Sequence, residues 1–543
     1  MARLLKFLFS RLTVVAVLML LQVGVLVAAL AYFGSNYARF QFVSVVLSII
    51  AIIFIINQNI SPAFKIAWIL PIAFLPVFGI PLYILFAKKP LPERKRPRME
   101  GVLRRYSAAM ATVHSESVEL EREDVDAAMQ SRYLERAASA PVFTGTDAEY
   151  FSPGERLYEA MLERLRAAKR YIFLEYYIIE SGEMWDSILE ILKQKVLEGV
   201  DVRLMYDDMG CIITLPNNYY RQMERLGIKC CTFHRLQPVL TGTINNRDHR
   251  KICVIDGEVA FTGGVNLADE YINRKVRFGH WLDSGVMVHG PAAYSFALMY
   301  LAMWDDLRRE DDDPADFLPS PGAFDGLEGQ GYVQPYTDTP VDEEPVGETA
   351  YINMLSRAKR SVYICTPYLI IDSELSRALE SAAKSGLDVK LITPGVPDKR
   401  LVYAVTRSYY GQLLRAGVKI YEYTPGFIHS KTMVCDGEYG ICGTINLDYR
   451  SLYLHHECAV WMFRTRAVEQ MRRVFDDTLA KSAEVTLDAV RRRAWYVKIV
   501  QSLLRIFSPL LYERKGRIWL CPAAGGRRDL QQKPEGGSPT AFA

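Results

Sequence analysis

One pattern of reactive residues occurs twice in this chain, and its spacing is the same in both copies. The repeated residues are His249, Lys251 and Asp256 in the first copy and His429, Lys431 and Asp436 in the second. Each copy continues into a small residue and an asparagine, which are Gly264 and Asn266 in the first copy and Thr444 and Asn446 in the second. All of these pairs lie 180 positions apart, as 249 and 429 or 266 and 446 show. A constant interval indicates an internal repeat, and it predicts two halves that share one active site.

Strand and helix patterns alternate in the same order around each copy. Residues 171–177 and 200–204 are typical of buried strands with an amphipathic helix between them, and residues 361–364 and 387–391 repeat that arrangement. Strands that alternate with helices favour βαβ units, in which helices cover a sheet. The sequence therefore predicts an α/β fold of two pseudo-symmetric α/β/α halves.

The apolar residues are concentrated at the start of the chain, where runs at 12–33, 42–56 and 66–86 predict N-terminal transmembrane helices. Basic residues flank the whole segment, which places both of its ends in the cytoplasm by the positive-inside rule. That orientation requires an even number of crossings, whereas there are three runs. Either one run does not cross, or the charge rule is overridden at one end. Pro71, Pro76 and Pro81 favour a kinked or partly re-entrant third run. We expect a multi-pass protein of the cell membrane with a cytoplasmic catalytic portion.

Composition also divides the remainder of the 543-residue chain. The predicted segments are a membrane anchor (1–89), a connector (90–140), a first half (141–310), a linker (311–348), a second half (349–485), a basic amphipathic helix region (486–522) and a disordered tail (523–543). In the basic region, apolar residues recur at helical spacing, which fits either a helix on an anionic membrane surface or one packed on the domain. Nine cysteines without paired C-x-x-C spacing indicate buried free thiols.

The repeated residues suit chemistry on a phosphate group. Because alternate residues of a strand share a face, each histidine projects together with the lysine two positions later. Two lysines, two histidines and the amides of Asn266 and Asn446 can surround one anion, and their charge can stabilise a phosphoryl transition state. Gly264 and Thr444 allow close approach of the backbone to a ligand. Asp256 and Asp436 each precede a glycine, so they serve either as turn formers or as chemical groups.

Two carboxylates downstream, Asp283 and Glu457, are predicted to hold the second ring nitrogen of the histidines. No metal is expected, because a lysine inside each copy disfavours a bound cation and no Cys/His cluster has ligand spacing. A net charge of only +3 gives no general electrostatic argument for a nucleic-acid partner.

The chain resembles the bacterial cardiolipin synthases of the phospholipase D superfamily, whose members carry paired HKD motifs. The segments that carry the resemblance are 67–71, 206–210, 246–251, 269–271, 426–431 and 446–451. Two positions depart from the family pattern. Asp248 stands where Asn is usual before the first histidine, and His455 stands where Asn is usual two residues before Glu457.

The resemblance implies conversion of two phosphatidylglycerols into cardiolipin and glycerol through a phosphohistidine, without a cofactor. Phosphatidylglycerol and membrane lipids are then the expected partners. By family analogy His249 is the nucleophile and His429 the acid and base, although the residues themselves are symmetric. The alternative is a membrane-bound phospholipase D or another phosphatidyltransferase that uses water or a different alcohol. A nuclease fits the apolar runs and the charge poorly, and intact motifs in both halves speak against a non-enzymatic scaffold.

Overall fold

The computed structural model describes residues 38–87, 96–235, 245–342 and 344–510, together with scattered positions between 17 and 32. About half of the predicted first apolar run therefore falls outside the described residues, and the predicted tail falls wholly outside them. Across the part of the chain that is described, no helix has both the length and the apolar character needed to cross a membrane. The eight cysteines in this part are all buried free thiols.

The elements alternate along the chain in two similar series. The strands of the first series are β1 (Asp147–Phe151), β2 (Tyr171–Tyr176), β3 (Asp201–Asp207), β4 (Lys229–Phe233), β5 (Arg247–Asp248), β6 (Lys251–Ile255), β7 (Val259–Gly263), β8 (His280–Leu282) and β9 (Gly285–His289). Those of the second are β10 (Tyr332–Asp338), β11 (Ser361–Cys365), β12 (Leu369–Ile370), β13 (Asp388–Pro394), β14 (Lys419–Tyr423), β15 (Gly426–Ile428), β16 (Thr432–Cys435), β17 (Tyr439–Gly443), β18 (Leu447–Asp448), β19 (His455–Phe463) and β20 (Ser482–Glu484). The helices are α1 (Ala38–Ile56), α2 (Pro62–Phe74), α3 (Pro76–Phe86), α4 (Arg96–Thr112), α5 (Ser117–Glu123), α6 (Val125–Ala138), α7 (Gly154–Ala167), α8 (Glu183–Leu197), α9 (Tyr219–Arg225), α10 (Ala293–Arg308), α11 (Val346–Arg357), α12 (Ser373–Lys384), α13 (Arg400–Ala416), α14 (Tyr449–Tyr453), α15 (Arg466–Leu479), α16 (Leu487–Arg491) and α17 (Trp495–Ile506).

Two large sheets repeat one strand order. The first sheet has the order β1-β9-β7-β6-β2-β3-β4, and the second has β10-β19-β17-β16-β11-β13-β14 with β20 added at its edge. In each sheet three strands are parallel, β2-β3-β4 and β11-β13-β14, and the helices between them provide the crossovers that parallel pairing requires. The predicted pair of α/β halves is therefore present.

One hydrophobic core joins the two halves. Its buried side chains come from both sheets and include Phe173, Val254 and Val288 of the first and Val434, Val460 and Met462 of the second. Helix α10 passes through this core and is buried over most of its length, as expected of a helix that is apolar on nearly all sides. Each fully buried side chain of this kind contributes about 1.5–3 kcal/mol relative to an exposed one, so the core holds the halves against each other.

The third apolar run is a hairpin of two short helices. Helix α2 ends at Phe74 and α3 begins at Pro76, so a proline at a first helical position interrupts the run. The rings of Trp68 in α2 and Tyr83 in α3 lie edge to face with centroids 5.5 Å apart, which requires the helices to fold back on each other. A Cβ atom at Gly79 would lie 2.4 Å from the Cα of Ile72, so this glycine permits the close approach. The predicted kink is therefore present as a break between two helices that fold back on each other.

Candidate active site

The first histidine meets its carboxylate where strands from the two halves pair. β5 runs parallel to the start of β19, with Asp248 opposite His456. The next residue on each strand is His249 and Glu457, so this register sets the two side by side. Nδ1 of His249 lies 2.9 and 3.0 Å from the two carboxylate oxygens of Glu457. The backbone N–H of His249 also donates to the carbonyl oxygen of His456 over 2.9 Å.

The second histidine also meets its carboxylate where a strand of one half pairs with a strand of the other. β15 runs parallel to β8, with Ile428 opposite Leu282, and the next residues are His429 and Asp283. Nδ1 of His429 lies 2.7 Å from Oδ2 of Asp283. The backbone N–H of His429 donates to the carbonyl oxygen of Leu282 over 2.7 Å. Each histidine is thus oriented by a carboxylate from the other half, an exchange that the sequence did not predict.

The two lysines lie beside the histidines of their own copies. Nζ of Lys251 donates to the carbonyl oxygen of His249 over 2.6 Å, and Nζ of Lys431 donates to that of His429 over 2.5 Å. Burial lowers the pKa of Lys251 to about 8, although Glu457 opposes this effect. Burial likewise lowers the pKa of Lys431 to about 7, and the charge of Lys251 adds to that lowering. The lysines therefore share one environment, where they can hold positive charge next to an anion.

Burial also shifts the pKa values of the second histidine–carboxylate pair, His429 and Asp283, which we call the second dyad. It lowers the pKa of His429 to about 4, and the charges of Lys431 and Lys251 act in the same direction. Burial alone raises the pKa of Asp283, but His429 and Lys431 bring it below the ordinary value. At neutral pH the empty site therefore holds an ionised Asp283 and a neutral His429. With Nδ1 facing the carboxylate, the ring keeps Nε2 available as a base or nucleophile.

Gly264 and Thr444 are equivalent in the repeat, but Thr444 bonds the carboxylate beside it and Gly264 leaves room for the carboxylate beside it. Thr444 Oγ1 donates a hydrogen bond to Glu457, which fixes that carboxylate from a second side. A Cβ atom at Gly264 would lie 2.0 Å from Oδ1 of Asp283 and 2.9 Å from the carbonyl oxygen of His429. Gly264 is therefore required because the second dyad occupies the space that a side chain would need.

Replacing Gly264 by Ala is expected to lower turnover at least about 100-fold, because Asp283 must move by about an ångström and no longer orients His429. The measurement is the steady-state rate per folded enzyme. Gly101 provides the matched control, since a Cβ atom there would meet nothing within 4 Å. A Gly264→Ala enzyme as active as Gly101→Ala would contradict the proposed constraint.

The two asparagines have different surroundings, although both were predicted to contact phosphate. Nδ2 of Asn266 donates to the hydroxyl of Tyr271 over 2.8 Å, and its Oδ1 accepts from the backbone N–H of Ile178 over 3.0 Å. The amide of Asn266 is therefore engaged in holding the surrounding loop. Oδ1 of the buried Asn446 has no hydrogen-bond partner within the described chain. Of the two, Asn446 remains the candidate ligand for phosphate, and it would donate from Nδ2 because phosphate oxygens are acceptors.

The structure separates Asp256 and Asp436 from this site. Asp256 follows β6, which begins at Lys251, and Asp436 follows β16, which begins one residue after Lys431, so each aspartate lies at the strand end far from the lysine. Both adopt a left-handed backbone conformation, with φ of 56° and 58°. The carboxylate of Asp256 accepts from the backbone N–H groups of residues 169–171 over 2.7–2.9 Å. That of Asp436 accepts from residues 359–361 over 2.7–2.8 Å. The alternative that these two aspartates are catalytic groups is therefore wrong, because they close turns and anchor the starts of β2 and β11.

Replacing Asp256 by Asn is expected to lower the free energy of unfolding by about 1–3 kcal/mol, because an amide cannot accept all three backbone hydrogen bonds. Asn tolerates the left-handed backbone, so the turn itself persists. Turnover per folded molecule should stay within about twofold. Urea denaturation measures the first effect and active-site titration the second, and Asp436→Asn should behave alike. A stable but inactive Asp256→Asn enzyme would restore a chemical role.

Two flanking positions were missed by the sequence reasoning. Trp281 lies two residues before Asp283, with its ring centroid 5.3 Å from that of His429. His455 lies two residues before Glu457, with its ring centroid 5.5 Å from that of His249. They are equivalent positions of the repeat, and their placement two residues before each carboxylate was the signal that could have identified them.

Two stretches of the chain, residues 161–289 and 351–479, match the family described as "Cardiolipin synthase, PLD-like domain". Residues 46–88 match a second family, described as "Phospholipase_D-nuclease N-terminal". Each of the first two stretches contains one complete repeated pattern, and the third covers the hairpin of α2 and α3.

Full-length relatives are similar over most of the chain. A cardiolipin synthase of Halalkalibacterium halodurans is 32% identical over 512 residues, which cover 92% of this chain and 100% of the relative. An uncharacterised protein of Streptococcus mutans serotype c is 40% identical over 465 residues, or 85% and 99% of the two chains. The crystal structure of phosphatidylserine synthase from Haemophilus influenzae Rd KW20 matches 70% of this chain and 98% of its own, with 13% sequence identity and a TM-score of 0.52. Together these matches show that both halves have the phospholipase D-like α/β fold.

Proposed function

This chain belongs to the family of cardiolipin synthases with two phospholipase D-like domains, and we propose that it joins two phosphatidylglycerol molecules into cardiolipin and releases glycerol. The observation that carries this proposal is the pair of exchanged dyads, His249 with Glu457 and His429 with Asp283. Two oriented imidazoles and two buried lysines around a common interface are what a phosphodiester exchange through a covalent intermediate requires.

In the first step Nε2 of His249 attacks the phosphorus of one phosphatidylglycerol. The N–P bond forms as the bond between phosphorus and the glycerol headgroup oxygen breaks, and His429 gives a proton to that oxygen. Glycerol leaves, and the phosphatidyl group stays on His249 as a phosphohistidine. The assignment of the nucleophile follows the family analogy, since the two dyads are alike in kind.

In the second step His429, now neutral, takes the proton of a headgroup hydroxyl on a second phosphatidylglycerol. That oxygen attacks phosphorus, the N–P bond breaks, and cardiolipin leaves with His249 restored. The low pKa of His429 suits this step directly, because the neutral ring is the form that accepts a proton. The first step needs the protonated ring, and the anionic phosphodiester beside it provides the charge that raises its pKa.

Lys251 and Lys431 stabilise the charge on the phosphoryl oxygens, with the amide of Asn446 as an additional ligand. The lysine pKa values of about 8 and about 7 give the free enzyme a specific pH dependence. Lysines are charged below their pKa, so the value of kcat/KM should fall by about tenfold per unit between pH 7 and 8 and by about 100-fold per unit above that range, where both lysines lose their charge. A pH profile with unfolding monitored in parallel measures it, and a flat profile to pH 10 would contradict the role of the lysines.

We further propose that the N-terminal helices anchor the enzyme in the cell membrane, with the catalytic part on the cytoplasmic side. Helix α1 exposes a run of apolar side chains, among them Phe42 at 71% and Phe54 at 59%, which only a lipid phase or another protein would cover favourably. Basic residues flank the whole apolar segment on both sides, and the positive-inside rule favours the cytoplasm for both flanks.

Helix α17 supports the same placement. Of its two basic residues, Arg505 turns toward α13, where it lies 4.0 Å from the ring centroid of Tyr409 and also donates to Oε1 of Gln412 over 2.8 Å. Its apolar residues turn outward, with Trp495 exposed at 73% and Leu503 at 54%. This arrangement reverses that of an ordinary surface helix. We propose that both interpretations of the region hold, since the helix packs on the domain through one face and lies on lipid with the other.

The experiment that tests the function is incubation of the purified full-length enzyme with phosphatidylglycerol alone. Cardiolipin and glycerol in equal amounts are the expected products. Phosphatidic acid with glycerol would instead indicate a phospholipase D that uses water, and a different diester after addition of other alcohols would indicate another phosphatidyltransferase. Absence of any phosphodiester turnover would contradict all three enzymatic readings.

A further inference from the structure

A group of potential metal ligands is formed at the first dyad by an additional residue. His249, His455 and Glu457 each direct one ligand atom to a common point, and these atoms all lie within 4.8 Å of one another. Nδ1 of His455 is 3.6 Å from Oε1 of Glu457, and Nδ1 of His249 is 2.9 Å from the same oxygen. The sequence does not predict this cluster, because His249 comes from the first half and the other two members from the second.

One ring nitrogen of His455 lacks a hydrogen-bond partner at this point. The residue is 6% exposed, and its buried Nδ1 has no hydrogen-bond partner among the described residues. An unpartnered buried ring nitrogen normally costs free energy, so a ligand that engages it is favoured.

We propose that His249, His455 and Glu457 form a reversible inhibitory site for Zn²⁺ or a similar transition-metal ion. Two imidazoles and one carboxylate are a common ligand set for this class of ion, which is held at about 2.0–2.2 Å from each ligand atom. Closing the cluster to these lengths requires side-chain shifts of about an ångström. The fourth position takes a water molecule.

Metal binding changes the positions of the ring protons on both histidines. The metal takes the place of the proton on Nδ1 of His249, that proton moves to Nε2 and occupies the lone pair needed for attack, and Glu457 becomes a metal ligand instead of the partner of Nδ1. Coordination through Nδ1 of His455 places its ring proton on Nε2, at the cost of the 3.3 Å contact from Nε of Arg450. His249 is then fixed as a ligand and loses the orientation that attack on phosphorus requires.

Nearby charges of both signs act on a cation at this site. Lys251 and Lys431 repel a cation, while Glu457 and Asp283 attract it, so the three ligand bonds decide the outcome. Mg²⁺ and Ca²⁺ prefer oxygen ligands and should not compete. The second dyad has no such site, because the position equivalent to His455 is Trp281, whose indole cannot ligate a metal.

The test uses the full-length enzyme, stripped with a chelator and titrated with ZnCl₂ by calorimetry and with CoCl₂ by visible absorption. One equivalent should bind, with a tetrahedral Co²⁺ spectrum. His455→Asn should weaken Zn²⁺ binding at least about tenfold, and Glu457→Gln should do the same if the first variant folds poorly. Trp281→Phe, the matched change beside the other dyad, should leave the affinity within about twofold. Equal Zn²⁺ affinity in the wild type and both ligand variants, or no stoichiometric binding, would overturn the proposal.

Inhibition is measured separately and rests on the proposed function. Zn²⁺ should inhibit cardiolipin formation, and the inhibitory concentration should rise at least about tenfold in His455→Asn. Metal binding without any lipid turnover would refute the proposed function and leave the site intact. Turnover that Zn²⁺ inhibits equally in the wild type and His455→Asn would refute the inhibitory role of the site alone.

Discussion

Replacing His249 by Ala is expected to lower cardiolipin formation at least about 10⁴-fold. The reaction then has no nucleophile, and direct displacement of glycerol by the second lipid lacks the divided pathway that a covalent intermediate offers. His429→Ala should be equally severe, because neither departing nor incoming oxygen then has a proton partner. The two effects should be less than additive, since the histidines act on the same phosphorus, but His429 still serves as acid and base in the slow direct displacement that His249→Ala leaves.

The measurement is the steady-state rate with labelled phosphatidylglycerol, after circular dichroism has shown that each variant is folded. This check is needed because His249→Ala leaves the buried Glu457 without its partner. His114→Ala is the matched control, since that side chain is 81% exposed and far along the chain from either dyad. A His249→Ala enzyme with a tenth or more of normal activity would end the account of a shared site.

Replacing Asp283 by Asn is expected to lower turnover by about 10²–10⁴-fold, because an amide favours the wrong tautomer and no longer stabilises a protonated His429. Glu457→Gln should have a similar effect through His249. The exchange between halves makes a sharper prediction for combined variants. Asp283→Asn should add little to the loss in His429→Ala, because the carboxylate acts through that ring, but it should reduce the residual activity of His249→Ala further.

Glu457→Gln supplies the reciprocal measurement. It should add little to the loss in His249→Ala and more to that in His429→Ala, and the residual rates of all combinations form four double-mutant cycles. Asp305→Asn tests for general effects of losing a buried carboxylate, since Asp305 bonds Tyr106 and Arg105 away from the site. If each carboxylate coupled instead to the histidine of its own half, the exchanged pairing would be wrong.

Much of this arrangement was predictable because the repeat determines it. The α/β halves follow from strands and helices that recur at one interval, and Lys251 and Lys431 join their histidines because alternate residues of a strand share a face. Asp283 and Glu457 were identified as orienting carboxylates from their positions downstream. Their pairing was not predictable, since short parallel strand pairs between halves are tertiary contacts that leave no local pattern.

Other features depended on space that the sequence does not display. The residue type of Asp256 supports both a turn and a catalytic role, and only the three backbone N–H groups around its carboxylate distinguish them. Gly264 reads as a flexible position, whereas its importance comes from the atoms of Asp283 in front of it. Asn266 and Asn446 are equivalent in sequence but differ because Tyr271 occupies the amide of the first.

The most direct test of a single site shared by both halves is a crystal structure of the full-length enzyme with vanadate, which adopts the geometry of a phosphoryl transition state. We expect one vanadium atom bonded to Nε2 of His249, with Nε2 of His429 within hydrogen-bond distance of the oxygen opposite and both lysines on the equatorial oxygens. Vanadate bound to one histidine with the other ring directed to a separate cleft would contradict the account.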